Sequence, residues 1–150
     1  MRGERVVVGM SGGVDSSAAA LMLSEQGYEV IGVTLRFYCY ARSGAASRPC
    51  CSAALLRRAR QLCARLGIEH RVIDAEAEFR EAVVRDFIDG YRAGKTPNPC
   101  IVCNEKVKFP ALARIADRLG SERIATGHYA RLERNAARST VPAAFRSSLA

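Results

Sequence analysis

Three short segments hold the residues able to do chemistry. The first is Gly9-Met10-Ser11-Gly12-Gly13-Val14-Asp15-Ser16-Ser17, which follows a valine-rich run and opens a helical pattern. Gly12 and Gly13 permit backbone conformations and close approaches that a side chain blocks. Their N–H groups, the hydroxyls of Ser11, Ser16 and Ser17, and a helix N-terminus together form an anion site. A plain strand-to-helix turn would explain one glycine and one serine, not the whole set. The spacing excludes both GxxxxGK[ST] and GxGxxG, so neither a Walker A loop nor a dinucleotide fingerprint is supported.

The second segment is Thr96-Pro97-Asn98-Pro99-Cys100-Ile101-Val102-Cys103-Asn104, followed by Lys106-Val107-Lys108-Phe109. The third is Ala125-Thr126-Gly127-His128-Tyr129-Ala130-Arg131. The six cysteines are Cys39, Cys50, Cys51, Cys63, Cys100 and Cys103. In a chain with no secretory pattern their CC and CxxC clustering points to reactivity or metal chemistry, not to a disulfide framework. Cys103 follows a proline-rich loop, which favours a reactive role over a buried structural one. Cys63 falls on an apolar helix face and reads as core. His70 falls in a strand and reads as structural. His128 stands beside a glycine at a strand end, where open α/β sheets bind ligands.

The elements that must position these segments alternate. Strands are expected at Arg5 to Gly9, Glu29 to Arg36, His70 to Asp74 and Arg123 to Thr126. The first of these has the valine-rich composition of a strand buried on both faces. Helices are expected from Ser16 to Gln26, from a Ser52 cap through Leu66, across Phe79 to Tyr91, and from Pro110 to Leu119. Gly27, Gly67 and Gly120 are the stops. The helix after Ser52 buries Leu55, Leu56, Ala59, Leu62, Cys63 and Leu66. The next presents Phe79, Val83, Val84, Phe87, Ile88 and Tyr91 on one face. Phe37 to Cys51 and Ala93 to Pro99 are expected as loops. The fold class is therefore α/β, a parallel sheet with helices on both faces.

The chain has 150 residues and a formal net charge of +8. That length suits one domain. The charge favours a polyanionic partner through phosphate neutralisation and counterion release. Arg57, Arg58, Arg60 and Arg65 fit a solvated helix face or a nucleic-acid backbone contact equally well. No apolar run approaches bilayer-spanning length. The expectation is a cytoplasmic protein with no membrane partner.

The sequence SGGxDS at Ser11 to Ser16 resembles the PP-loop of ATP pyrophosphatases, a group of adenine nucleotide alpha hydrolase-like folds. The Asn98 and Gly127 segments, with Cys50-Cys51-Ser52, resemble the signatures of bacterial tRNA-specific 2-thiouridylases, in register from Val6 to about Arg131. The resemblance implies an enzyme that adenylates the C2 oxygen of a wobble uridine with ATP, then replaces that oxygen with a persulfide sulfur. AMP and pyrophosphate are released. It implies ATP contacts by Gly9, Met10, Ser11, Gly12, Gly13, Val14, Asp15, Ser16, Leu35 and Gly127, with Asp15 supporting the loop or helping to hold Mg²⁺. It implies target-base contacts by Asn98, Pro99 and Cys100, and a tRNA contact by His128. Cys103 is implied as the nucleophile, while Cys100 stands where other members carry aspartate. The partners implied are tRNA and a cysteine desulfurase or sulfur-relay protein.

The family continues past this chain, with a second catalytic cysteine, a central domain and a β-barrel. Residues 1–133 are expected as a truncated PP-loop domain, incomplete at its C-terminal side. Residues 134–150 are expected as a divergent tail. Two other readings compete: a non-catalytic ATP- or tRNA-binding fragment, and a PP-loop ligase with a CxxC zinc site. Structural zinc normally needs four ligands, which ranks the last reading low. No metal ligand is assigned, and an iron–sulfur cluster on Cys100 and Cys103 is left open.

Overall fold

The computed structural model of the chain describes residues 3–37 and 53–130. Strand β1 (Arg5–Gly9) leads through the glycine loop into helix α1 (Val14–Glu25). Strand β2 (Glu29–Arg36), helix α2 (Ala53–Leu66) and strand β3 (Glu69–Asp74) follow. Next come α3 (Glu76–Phe79), a π turn at Arg80–Val84 and α4 (Arg85–Arg92). Then α5 (Pro99–Cys103), a second π turn at Asn104–Lys108 and α6 (Phe109–Arg118) lead to β4 (Arg123–Thr126).

The four strands are parallel, in the order β3-β2-β1-β4. Strand side chains alternate between faces, and that alternation divides the core in two. Val7 joins Ile31, Val33 and Leu35 beneath Leu112 and Ile115 of α6. Val6 and Val8 face the other way, toward Ala20 of α1 and Ala59 and Cys63 of α2. So α1 and α2 cover one face, while the α3–α4 and α5–α6 helices cover the other. Both faces of β1 are buried, which is why its sequence is a continuous valine run. Gly27, Gly67 and Gly120 all have left-handed φ, as expected of residues just past a helix end.

Two helical expectations change. The helix expected from Pro110 to Leu119 is present as α6, but it does not stand alone. Residues flanking the second π turn keep helical dihedrals, so the chain runs helically from Pro99 to Arg118. Its start is capped by Asn98, whose Oδ1 accepts from the N–H groups of Cys100 at 3.1 Å and Ile101 at 3.4 Å. Pro110 has no N–H to give to a carbonyl one turn back. The π turn, a looser winding, ends two residues before it. In the other long helix the apolar face divides. Val83 is buried and Phe79 packs against the core, but Phe87, Ile88 and Tyr91 are exposed.

Ser52, Cys39, Cys50, Cys51 and the boundary expected at residues 133 and 134 lie outside the described residues. Among the described residues no helix is long and apolar enough to cross a membrane.

Candidate functional site

Helix α1 returns from β1 to one side of the sheet, while β4 pairs on β1's other edge. The C-terminal end of β1 is thus a topological switch point, where open α/β sheets form their ligand crevice. A cavity of about 480 Å³ lies there, within the size range of small-molecule sites. Gly9, Met10, Ser11, Asp15, Ser16 and Leu35 line it, as do Gly127 and His128. Eight of the expected site residues therefore converge on one space.

The loop is held by its own hydroxyls. Ser16 Oγ donates to the Gly13 carbonyl at 3.2 Å and accepts from the Ser11 N–H at 3.2 Å. Ser17 Oγ donates to the same carbonyl at 2.7 Å. Ser16 and Ser17 were expected to add to the anion site; in the structure their hydroxyls bind the loop instead. The start of α1, where Gly13 is the N-cap, leaves its backbone donors unclaimed by any side-chain cap. The first N–H groups of any helix lack intrahelical partners.

Gly12 has φ +78°, and a Cβ there would lie 2.2 Å from the Leu55 carbonyl oxygen. It shapes the loop against α2 and does not line the cavity. A Cβ on Gly13 would meet only Ser11 Oγ, at 3.3 Å. Val14 is 82% exposed and lies outside the cavity wall.

The loop is braced from beneath. Thr34 Oγ1 donates to the Met10 carbonyl at 2.8 Å, and having spent its one proton, accepts from His70 Nε2 at 2.9 Å. The His70 pKa is lowered, chiefly by burial and then by the nearby Arg60 charge. On the far side Gly127 packs on the start of α1, where an added Cβ would lie 2.5 Å from the Ser16 nitrogen. His128 Nδ1 lies 2.7 Å from Thr126 Oγ1, and its ring centroid is 5.5 Å from that of Phe109. Its pKa is lowered by burial first and by the Lys108 charge second.

The cysteine segment is not in this cavity. Asn98, Pro99, Cys100 and Cys103 do not line it. Cys100 is exposed, but Cys103 is only 8% exposed and belongs to the core with Val83, Val107 and Ala111. The expectation that Cys103 avoids an apolar face is corrected. The helix begins at Pro99, so Cys103 sits within it and on its inner side. Cys63 is core as expected, and burial pushes its thiol pKa up. Among the described residues no group of three or more His, Cys, Asp or Glu side chains is placed to hold a metal ion.

Thr34, Arg36, Phe37, Lys108, Leu112 and Thr126 were not expected at a ligand site, and all six line the cavity. For Lys108 a signal existed. It precedes the core residue Leu112 by four positions, and residues four apart on a helix share a face.

A parallel sheet with helices on both faces and a glycine–serine loop at its switch point defines a PP-loop α/β domain of the HUP type. The chain belongs to the family of the tRNA methyl transferase HUP domain, whose model matches residues 4–146. It is 51% identical over 130 residues to the tRNA-specific 2-thiouridylase MnmA 3 of Bacteroides fragilis, covering 87% of this chain and 32% of that protein. It is 53% identical over 128 residues to the tRNA-specific 2-thiouridylase MnmA of Magnetococcus marinus, covering 85% of this chain and 36% of that one. The chain thus spans about a third of the length of these curated relatives.

Two solved structures share the fold. One is a predicted subunit of tRNA methyltransferase from Methanocaldococcus jannaschii, with TM-score 0.54 and 22% identity over 83% of this chain and 53% of that one. The other is a glutamine-dependent NAD+ synthetase from Acinetobacter baumannii in complex with ADP, with TM-score 0.56 and 14% identity over 81% of this chain and 21% of that one.

Proposed function

We propose that this chain is the nucleotide-binding part of a tRNA-uridine 2-sulfurtransferase. The observation that carries the reading is the cavity at the switch point, bounded by the glycine–serine loop and the start of α1. ATP suits this space. The loop and helix N-terminus offer N–H donors to the pyrophosphate part. Leu35 and Phe37 offer apolar wall to the adenine. Asp15 is a carboxylate on the cavity wall, and Mg²⁺ typically takes one or two protein carboxylates with the phosphates supplying the rest.

In this reading ATP adenylates the C2 oxygen of the wobble uridine and releases pyrophosphate. A persulfide sulfur, supplied by a cysteine desulfurase or sulfur-relay protein and carried on a cysteine, then attacks C2 and displaces AMP. The Cys103 thiolate attacks the carrier cysteine's sulfur, breaking the S–S bond to leave 2-thiouridine and a disulfide. Asn98, Pro99 and Cys100 meet the target base, His128 meets the tRNA, and Cys103 is the nucleophile. The thiolate is the reactive form of cysteine, and Cys103 is buried, so this role requires the start of α5 to open when tRNA binds. The cytoplasm is the compartment that fits such an enzyme.

The burial of Cys103 also favours a second reading. This chain alone binds nucleotide and tRNA without completing thiolation. A single-turnover assay with tRNA, MgATP and a persulfide donor separates the two, scored as 2-thiouridine by nucleoside mass spectrometry. Thiolation by the chain sustains the first reading. ATP binding without thiolation sustains the second. Absence of ATP binding in calorimetry overturns both.

A further inference from the structure

Lys108 is half-buried, lines the cavity, and ends the second π turn. Winding of this kind is frequent at functional sites. The wall Lys108 belongs to is distinct from that of the loop. Helix α1 lies on one face of the sheet and α6 on the other, so loop and lysine reach the cavity from opposite sides of the sheet's C-terminal edge. The other cation on the wall, Arg36, is committed to an ion pair with Asp74. Lys108 forms none of the ion pairs found among the described residues.

We propose that Lys108 is a phosphate-contacting residue of this cavity, meeting the nucleotide's phosphate chain from the side opposite the glycine–serine loop. The inference rests on the ATP-binding reading above and adds a residue to it. An ammonium with no ion-pair partner among the described residues, held half out of water, attracts a phosphate strongly because screening there is weak. Its field already reaches another wall residue, since it helps to lower the His128 pKa. A lysine merely solvated on a helix surface would not line a cavity shared with Ser11 and Gly127. The loop supplies donors along the backbone, and Lys108 supplies a full positive charge, so together they bracket a polyanion.

The test is calorimetry of the 150-residue chain with MgATP and with adenosine, for the wild type, Lys108→Met and Lys108→Arg. Losing one charge-assisted contact should weaken MgATP binding by roughly tenfold or more. Adenosine binding should not change, and Lys108→Arg should recover most of the loss. Equal MgATP affinity in wild type and Lys108→Met overturns the inference while leaving the nucleotide site standing. Equal losses for MgATP and adenosine also overturn it, because the effect is then not on phosphate. Failure of the wild type to bind MgATP removes the underlying reading instead, and the inference with it. A second readout needs no variant. In an NMR titration of the wild type, MgATP bound between the loop and Lys108 should raise the His128 pKa, both by its own charge and by offsetting that of Lys108, and adenosine should not. No difference between the two ligands overturns the proposal even if Lys108→Met fails to fold.

Discussion

The hydroxyl of Tyr129 donates a 2.8 Å hydrogen bond to Asp15 Oδ1, joining the segment after β4 to the first turn of α1. Tyr129 is 91% exposed, so packing does not place it there. The Asp15 carboxylate holds the phenol proton and opposes the phenolate charge, which raises the Tyr129 pKa above its ordinary value of 10.0. Asp15→Asn should therefore bring the phenol's titration back down toward that value. Ultraviolet difference titration, with Tyr129→Phe used to assign the signal, measures it. An unchanged midpoint in Asp15→Asn would mean that the bond does not persist in solution.

The paired glycines should separate by experiment. Gly12→Val forces a β-branched residue into a left-handed φ and drives its Cβ into the Leu55 backbone. The backbone strain alone costs about 1–2 kcal/mol, so loss of ATP binding in this variant would confound grip with folding. Gly13→Ala meets only the end of a serine side chain. It should keep its melting temperature within a few degrees, and if phosphates bind at the uncapped start of α1, where Gly13 is the N-cap, the added methyl should weaken MgATP binding. Undiminished affinity in Gly13→Ala argues that the phosphates lie elsewhere.

Alkylation under limiting reagent, followed by peptide mapping, should rank the thiols. Cys100 is exposed and should react first. Cys103, at 8% exposure, should follow slowly. Cys63 should be last, since it is 1% exposed and its thiolate is disfavoured by burial. If opening of α5 uncovers the nucleophile, added tRNA should quicken Cys103 relative to Cys63. A constant ratio of the two rates would tell against that opening.

The brace under the loop should make stability depend on acidity. The folded pKa of His70 is lowered below its ordinary 6.5 by burial and by Arg60. The unfolded chain therefore takes up this proton first as pH falls. Stability from the neutral ring is fully present above the ordinary value and is lost as pH drops toward and through the lowered one. The hydrogen bond to Thr34 does not oppose this, because Nε2 donates in both protonation states. Urea denaturation between about pH 7 and 5, where histidine is the side chain that titrates, should show a falling midpoint. His70→Gln should flatten the fall. The chain has one other histidine, His128, whose lowered pKa adds a slope of the same sign.

How far the sequence foretold this depends on the range of the interactions involved. The β1 valines, the glycine helix stops and the loop of Gly9 to Ser17 were legible because each is set by neighbours in the chain. The convergence of Leu35 and Gly127 on that loop came from family resemblance, not from any pattern along the chain. The burial of Cys103 was not legible. Pro110 is a natural helix start, but so is Asn98-Pro99, a side-chain cap followed by proline at the first helical position, and the sequence does not say which of the two opens the helix. From the sequence Lys108 reads as one of two lysines whose charge favours a Cys103 thiolate, not as a residue of the nucleotide cavity. Its task depends on which face of the sheet α6 covers, a tertiary fact.

Gly127 matters most for the side chain it lacks. With no Cβ, the end of β4 lies directly on the first turn of α1, at a separation where one carbon atom would collide with the Ser16 nitrogen. Two pieces of backbone in such contact cannot slide past each other independently. A displacement of the loop would therefore carry Thr126 and His128 with it. The loop and the segment carrying His128 thus form one mechanical unit, joined through an absence of atoms.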